Sequence, residues 1–341
     1  MRPKVYALGL TAMAAALFLG TVTANIIIDP QRVFGTGLLC SPLNQNDRYL
    51  ALARYEEQAD HYDALFLSSS RGGAFSIDEL SRRMNGSRFA RFSMPGAQVG
   101  EYLAILDHVI RGKADRNLRL SAVFMLLDID SLGGRPVSKL GLQYQLPPAL
   151  TGESMGRFRW RYLVAIQFQT WRGEITRAWN NCGGGGNRTE RHASERSETD
   201  GLAPPDGLAT PVGLSGKKTI TAHANYSPQL AQLKDFVALC RQNNIRLTVA
   251  LSPLHVQRLR EYSAEDLKRA VDDVSNIVPV WYFASPHWLS SPDLWTDIGH
   301  FTPKVSEMML ERIFAERPPS ELDDFGRLYG NQLENQSAEL R

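Results

Sequence analysis

The chain lacks the features that announce several common functions. It has three cysteines in 341 residues, Cys40, Cys182 and Cys240, with no CxxC spacing. Neither a zinc site nor a dithiol redox motif is therefore supported. One disulfide can form if the domain lies in an oxidising compartment, with no spacing to choose the pair; otherwise the cysteines serve as small apolar residues. Charge of one sign is also missing: 38 Lys and Arg face 36 Asp and Glu, a net +2. Nucleic acid, whose phosphates demand a clustered basic surface, drops out as a partner. No repeat of roughly 20–50 residues is visible, which argues against a solenoid or propeller. Nothing in the spacing calls for a cofactor or a metal.

What is present begins at the N-terminus. Arg2 and Lys4 precede a mostly apolar run from Val5 to Ile28, long enough to cross about 30 Å of hydrocarbon as a helix. The positive charges should stay in the cytoplasm and send the rest outward. Val22-Thr23-Ala24 offers a signal-peptide cleavage site. The apolar run continues past it through Ile26-Ile27-Ile28, which favours an uncleaved anchor over residues 1–29. The expectation is a single-pass protein of the inner membrane, its domain facing the periplasm or cell exterior.

Beyond the anchor the pattern alternates. Strands are predicted at Ala64–Leu67, Arg88–Ser93, Leu120–Leu127, Arg246–Leu251 and Val278–Phe283. Helices are predicted at about 47–59, 99–110, 228–243, 264–274 and 303–315. Near-continuous apolar strands between helices predict an α/β domain over 30–317, built on a mostly parallel sheet covered on both faces. An insertion at about 135–222 should decorate that sheet without a core of its own. Within it, 157–180 is aromatic and basic at helical spacing and reads as a packed helix face sooner than a sugar platform. Residues 182–221, with four consecutive glycines, read as disordered. The end, 318–341, reads as a flexible tail.

In open parallel sheets, ligands bind beyond the carboxyl ends of the strands. The strand exits here carry Ser68-Ser69-Ser70-Arg71, then Pro95-Gly96, then Asp128 and Asp130, then Ser252 and His255, then Asp297 and His300. Ser70 sits in a tight strand-to-loop exit that holds a hydroxyl out of the sheet, with Ser68 and Ser69 as rivals. A serine needs an adjacent base, and Asp297-x-x-His300 supplies one already paired with a carboxylate. Gly96 is a candidate backbone donor to an oxyanion. Arg71, Asp128, Asp130 and His255 face the same rim as candidate substrate-binding groups, and the two Asp also stand where they can anchor Arg71. A metal-dependent hydrolase using Asp128, Asp130 and His255 is the third option.

Together these residues resemble the SGNH-hydrolase superfamily, and within it the membrane-anchored periplasmic proteins of alginate and exopolysaccharide O-acetylation. Phe66-Leu67-Ser68-Ser69-Ser70-Arg71 is similar to the first block, Ser93-Met94-Pro95-Gly96 to the second, and Asp297-Ile298-Gly299-His300 to the last. The resemblance implies a three-layer, flavodoxin-like α/β/α fold with Ser70, Asp297 and His300 as a catalytic set. It also implies acyl transfer on an acetylated or acceptor polysaccharide, as O-acetyltransferase or acetylesterase, with a membrane-embedded acyl donor protein as a candidate partner. Two departures stand out. Ser68 and Ser69 replace the Gly and Asp of the first block. The Gly-x-Asn-Asp of the third block has no counterpart, since its strand ends Leu127-Asp128-Ile129-Asp130. The lost asparagine is an oxyanion donor, and an ionised Asp cannot donate. The alternative is accordingly an inactive SGNH-like protein that binds glycan or a partner.

Overall fold

Short runs of Ala, Leu, Phe and Val make the sheet. In a computed structural model of the protein, which describes residues 3–36, 44–134, 141–182, 218–284 and 286–330, the chain divides into two compact units. One comprises residues 1–52 and 140–203, the other 53–139 and 204–341.

The larger unit holds a six-stranded sheet of order β2-β1-β3-β4-β5-β6. Its strands are β1 (Ala64–Ser68), β2 (Phe89–Ser93), β3 (Ala122–Leu127), β4 (Arg246–Leu251), β5 (Val280–Tyr282) and β6 (Arg327–Tyr329). The first five are parallel, as their continuous apolar character requires. On β3, Ala122, Phe124 and Leu126 join one core cluster, and the alternate residues Val123, Met125 and Leu127 are equally buried, so both faces of that strand are covered.

The helices of this unit are signalled locally. Helix α2 covers Asp47–Glu57. In α3 (Ile77–Arg83), Ser76 caps the start by accepting from the Glu79 N–H. In α4 (Val99–Ala114) the Glu101 carboxylate accepts from the Gln98 N–H at 2.9 Å.

The last strand corrects the expected flexible tail. Residues 320–329 are ordered: Leu322 and Phe325 are buried, and β6 pairs antiparallel with β5. Residues 331–341 lie outside the described residues. A three-residue edge strand carries too little apolar character to stand out in a polar stretch of sequence.

The smaller unit corrects the expectation that the insertion has no core. The helix α1 (Pro3–Ile28) packs with two of its helices, and Val33, Phe158 and Tyr162 form a separate buried cluster backed by Phe34, Tyr49 and Leu142. After the short α5 (Pro148–Thr151) come α6 (Met155–Val164) and α7 (Phe168–Cys182). The aromatic-basic stretch is thus two helices, with Phe158, Tyr162 and Trp171 turned inward.

Helix α1 ends where Asp29, at φ 39°, turns its carboxylate back onto the N–H groups of Val33, Phe34 and Gly35. Asn46, fully buried, donates to Gln145 O and to Tyr162 Oη, both at 2.8 Å, and holds the connector against the insertion.

The remaining helices belong to the larger unit: α8 (Tyr226–Gln242), α9 (Val256–Arg260), α10 (Ala264–Ser275), α11 (Pro286–Leu289) and α12 (Pro303–Phe314). Of the segment expected to be disordered, 183–217 lies outside the described residues. Lys218–Thr221 is placed: Ile220 is buried, and the Ile220 and Thr221 N–H groups both donate to Asp266. Cys240 is unpaired and buried in α8, where burial pushes its thiol up to about 12; Cys40 lies outside the described residues.

Candidate active site

Parallel pairing sets the site. Ser68 stands opposite both Ser93 of β2 and Leu126 of β3, so the exits of three strands reach the same level. Beyond β1 the chain turns into a short 3-10 helix, Ser70–Ala74, capped by Ser69, whose hydroxyl accepts from the Arg71 N–H at 3.2 Å. The rival serines are thereby occupied. Ser68 is fully buried with its Oγ 2.8 Å from Ser93 Oγ, and Ser69 is 1% exposed. Ser70 alone of the three is only part-buried.

The Ser70 Oγ lies 3.0 Å from His300 Nε2. On the other side of the ring, His300 Nδ1 is 2.9 and 3.1 Å from the two carboxylate oxygens of Asp297. Asp297 also accepts from the N–H groups of Gly299 at 2.6 Å and His300 at 2.9 Å. Burial pushes this carboxyl upward, but the hydrogen bonds from His300 and Gly299 outweigh it and hold Asp297 below the usual carboxylate range. An ionised Asp on Nδ1 fixes the tautomer that leaves Nε2 as acceptor toward the serine.

The two loops are held over one aromatic cluster. Phe75, which closes the turn after Ser70, packs against Phe66, Phe124 and Phe301 with centroids 5.2, 5.8 and 6.2 Å away. Phe301 immediately follows His300, so the Ser70 and His300 loops rest on the same hydrophobic floor. Gly72 cannot carry a side chain here, since a Cβ would fall 1.9 Å from Ser68 Oγ.

Arg71 joins three exits. Its Nε donates to Gly299 O at 2.9 Å, and its two terminal nitrogens fork onto Asp130 at 3.0 and 3.2 Å. Asp128 lies 3.2 Å from the same guanidinium, and Arg258 is 3.6 Å from Asp130. Burial alone would lower the arginine and raise both acids. The two carboxylates nonetheless drive Arg71 upward, and Arg71 drives Asp130 down, while for Asp128 burial prevails and its carboxyl is raised. The two aspartates thus take one of their two anticipated roles, anchoring Arg71, and Asp130 also lines the cavity described below.

Gly96 is exposed at φ +62° in the turn after β2, and among the described residues nothing accepts from its N–H. His255 caps α9, its Nδ1 accepting from Gln257 N at 3.2 Å, and packs edge-on against Trp295 of the His300 loop at 5.1 Å. It thus buttresses that loop. No group of three or more metal-ligating side chains occurs among the described residues.

Sequence reasoning missed Gln229. This buried side chain accepts from Val99 N and donates to Ser131 O, both at 3.0 Å, tying the turn after β3 to two helices. Its signal, one polar residue in the first turn of a helix, is indistinguishable from a surface glutamine. The same turn borders a cavity of about 420 Å³ lined by Asp130, Gly134, Lys218, His223 and Tyr262 among others.

Neither protein-family models nor curated proteins match this chain.

Proposed function

We propose that this protein is a serine-dependent acyl-transfer enzyme of the SGNH type, an O-acetyltransferase or acetylesterase acting on cell-envelope or exported polysaccharide. The single observation that carries the reading is the relay Ser70 Oγ–His300 Nε2–Asp297, at 3.0 and 2.9 Å. Ser70 attacks the carbonyl carbon of an acetyl ester while its proton passes to His300. The tetrahedral oxyanion collapses, the alcohol leaves with the proton from His300, and the acetyl group remains on Ser70. An acceptor hydroxyl then gives its proton to His300 and attacks the acyl carbon; as the bond to Ser70 Oγ breaks, His300 returns that proton to the serine and the acyl group leaves on the acceptor. A sugar hydroxyl makes the reaction a transfer; water makes it hydrolysis. The Gly96 N–H is the candidate oxyanion donor. The cavity that shares Asp130 with the arginine clamp is the candidate acceptor pocket.

The fold reading extends to a three-layer, flavodoxin-like α/β/α unit, supported by the strand order β2-β1-β3-β4-β5. The N-terminal helix is long and apolar enough to span a membrane. We read it as an uncleaved anchor with Arg2 and Lys4 in the cytoplasm and the rest outside. The contact of Phe18 with Trp160, upstream of the cleavage candidate, supports retention of the helix.

The test is turnover of a chromogenic acetyl ester by the full chain in detergent, compared with Ser70→Ala and His300→Ala. Wild-type turnover with both variants down by about three orders of magnitude or more, at unchanged fold, is expected. Variants as active as the wild type would remove the enzyme reading. A wild type inert to ester and unlabelled by a fluorophosphonate would favour the binding alternative, for which the absent asparagine donor speaks.

A further inference from the structure

Among the described residues, the most exposed large apolar side chains outside α1 are Phe168 at 70%, Ile166 at 68% and Trp160 at 53%. All three fall in one short stretch of the smaller unit, on α6, α7 and their junction. Such a patch on a protein surface marks an interaction site. Its position relative to α1 says which kind.

The Asn25 side-chain amide donates to Leu163 O at 2.9 Å and to Ala165 O at 2.8 Å, and Trp171 Nε1 donates back to Asn25 Oδ1 at 2.9 Å. These bonds bind the junction of α6 and α7 to the last turn of α1. One step deeper, the rings of Phe18 and Trp160 meet at 6.3 Å. A helix needs about 20 residues to cross the hydrocarbon. Within Pro3–Ile28, every window of about that length contains Phe18 at least four residues, or about 6 Å, from its outer end. Trp160 is therefore at or below the hydrocarbon edge in every placement of α1. Arg157 and Arg159 flank it, both exposed. Tryptophan at the boundary with arginines reaching to the phosphates is the composition of an interfacial helix.

Resting on the reading that α1 spans the bilayer, the geometry points to a membrane seat. The outer leaflet takes Trp160, Ile166 and Phe168 among its acyl chains beside α1, and Arg157 and Arg159 lie against anionic headgroups. The lipid surface is the occupant, by continuity with α1 and by charge. The unit bearing these helices is consequently fixed to the leaflet at two places and does not swing on a single helix.

The experiment uses the full chain in vesicles of phosphatidylglycerol and phosphatidylcholine, the latter with or without bromine along its acyl chains. With Cys40→Ser, Cys182→Ser and Cys240→Ala as background, single cysteines at Leu10, Ile166 or Phe168 carry an environment-sensitive fluorophore. Probes at 166 and 168 should shift to the blue relative to the fluorophore on free cysteine and lose most of their emission in brominated lipid, as should the probe at 10. A quenched probe at 10 with water-like, unquenched probes at 166 and 168 overturns the seat and leaves the spanning helix standing. Blue-shifted but unquenched probes at 166 and 168 also overturn it, in favour of a protein partner. An unquenched probe at 10 removes the spanning helix itself, and the seat with it.

Discussion

Replacing Arg71 by methionine tests how the candidate site is held together. The substitution keeps much of the stem's volume and deletes one charge from a cluster whose members, Arg71, Asp128 and Asp130, have side chains only 9–10% exposed. Removing one partner of a buried ion pair costs about 3–5 kcal/mol, because the other charge stays buried without compensation. Arg258, 3.6 Å from Asp130, offsets part of this, so about 3 kcal/mol is expected, a fall of roughly 6–12 °C in the melting temperature of a unit this size. The pH dependence carries the sign. Arg71 holds Asp130 below its ordinary value, so the stability it contributes is present above the unfolded carboxylate pKa and lost as pH falls through the lower, folded one. The gap between wild type and Arg71→Met should therefore be widest near neutrality and shrink as pH falls, first as the stranded acids, raised by burial in the variant, protonate, and then as the wild type loses the share that Arg71 gives Asp130. Adding Asp130→Asn to Arg71→Met should restore more than half of the lost stability at pH 7. Ester turnover should not return with it, since the bond from Arg71 Nε to Gly299 O remains absent and a misplacement of about 1 Å can cost roughly a hundredfold. Thermal unfolding by near-ultraviolet circular dichroism in detergent, over a pH series, measures all of this. A variant melting within 2 °C of wild type at pH 7 (about 1 kcal/mol or less) would refute the clamp.

Three further outcomes follow from the same geometry. Among Ser68→Ala, Ser69→Ala and Ser70→Ala, only the last should abolish fluorophosphonate labelling; labelling that persists in Ser70→Ala would move the nucleophile elsewhere. Gly72→Ala should destabilise the fold by about 1–3 kcal/mol through overpacking, and Ser68→Gly in the same chain should recover it, because the clash is with the Ser68 side chain; a Gly72→Ala protein of wild-type stability would contradict the tight turn. Asp297→Asn should lower turnover by about 10³–10⁴ with little change in KM, through the wrong histidine tautomer, and steady-state kinetics showing less than a tenfold loss would deny the relay.

Much of the fold was legible because strand and helix signals are local. The near-continuous apolar run Leu120–Leu127 and the alternation of strand with helix led to a mostly parallel sheet, and β4 falls at Arg246–Leu251 as read from the sequence. The residues brought together at the strand exits were nameable for the same reason: parallel strands deliver all their carboxyl ends to one side. What was not legible depended on pairing across distance. The strand Arg327–Tyr329 exists because the edge of β5 offers it hydrogen bonds, and nothing in its own three residues says so. The second core, with Phe158 and Tyr162 against Val33, needs the N-terminal connector to meet the insertion more than a hundred residues later.

The sequence by itself determined the chemistry on offer: an apolar N-terminal helix, a serine-rich turn, an Asp-x-x-His loop and a pair of acids at a strand end. Such choices are written in residue type and spacing. Only the tertiary structure decided which serine faces the histidine, that the two acids hold Arg71, and that His255 caps a helix. Those outcomes turn on which side chain is buried and which partner it meets, and burial is a property of the whole chain packed together.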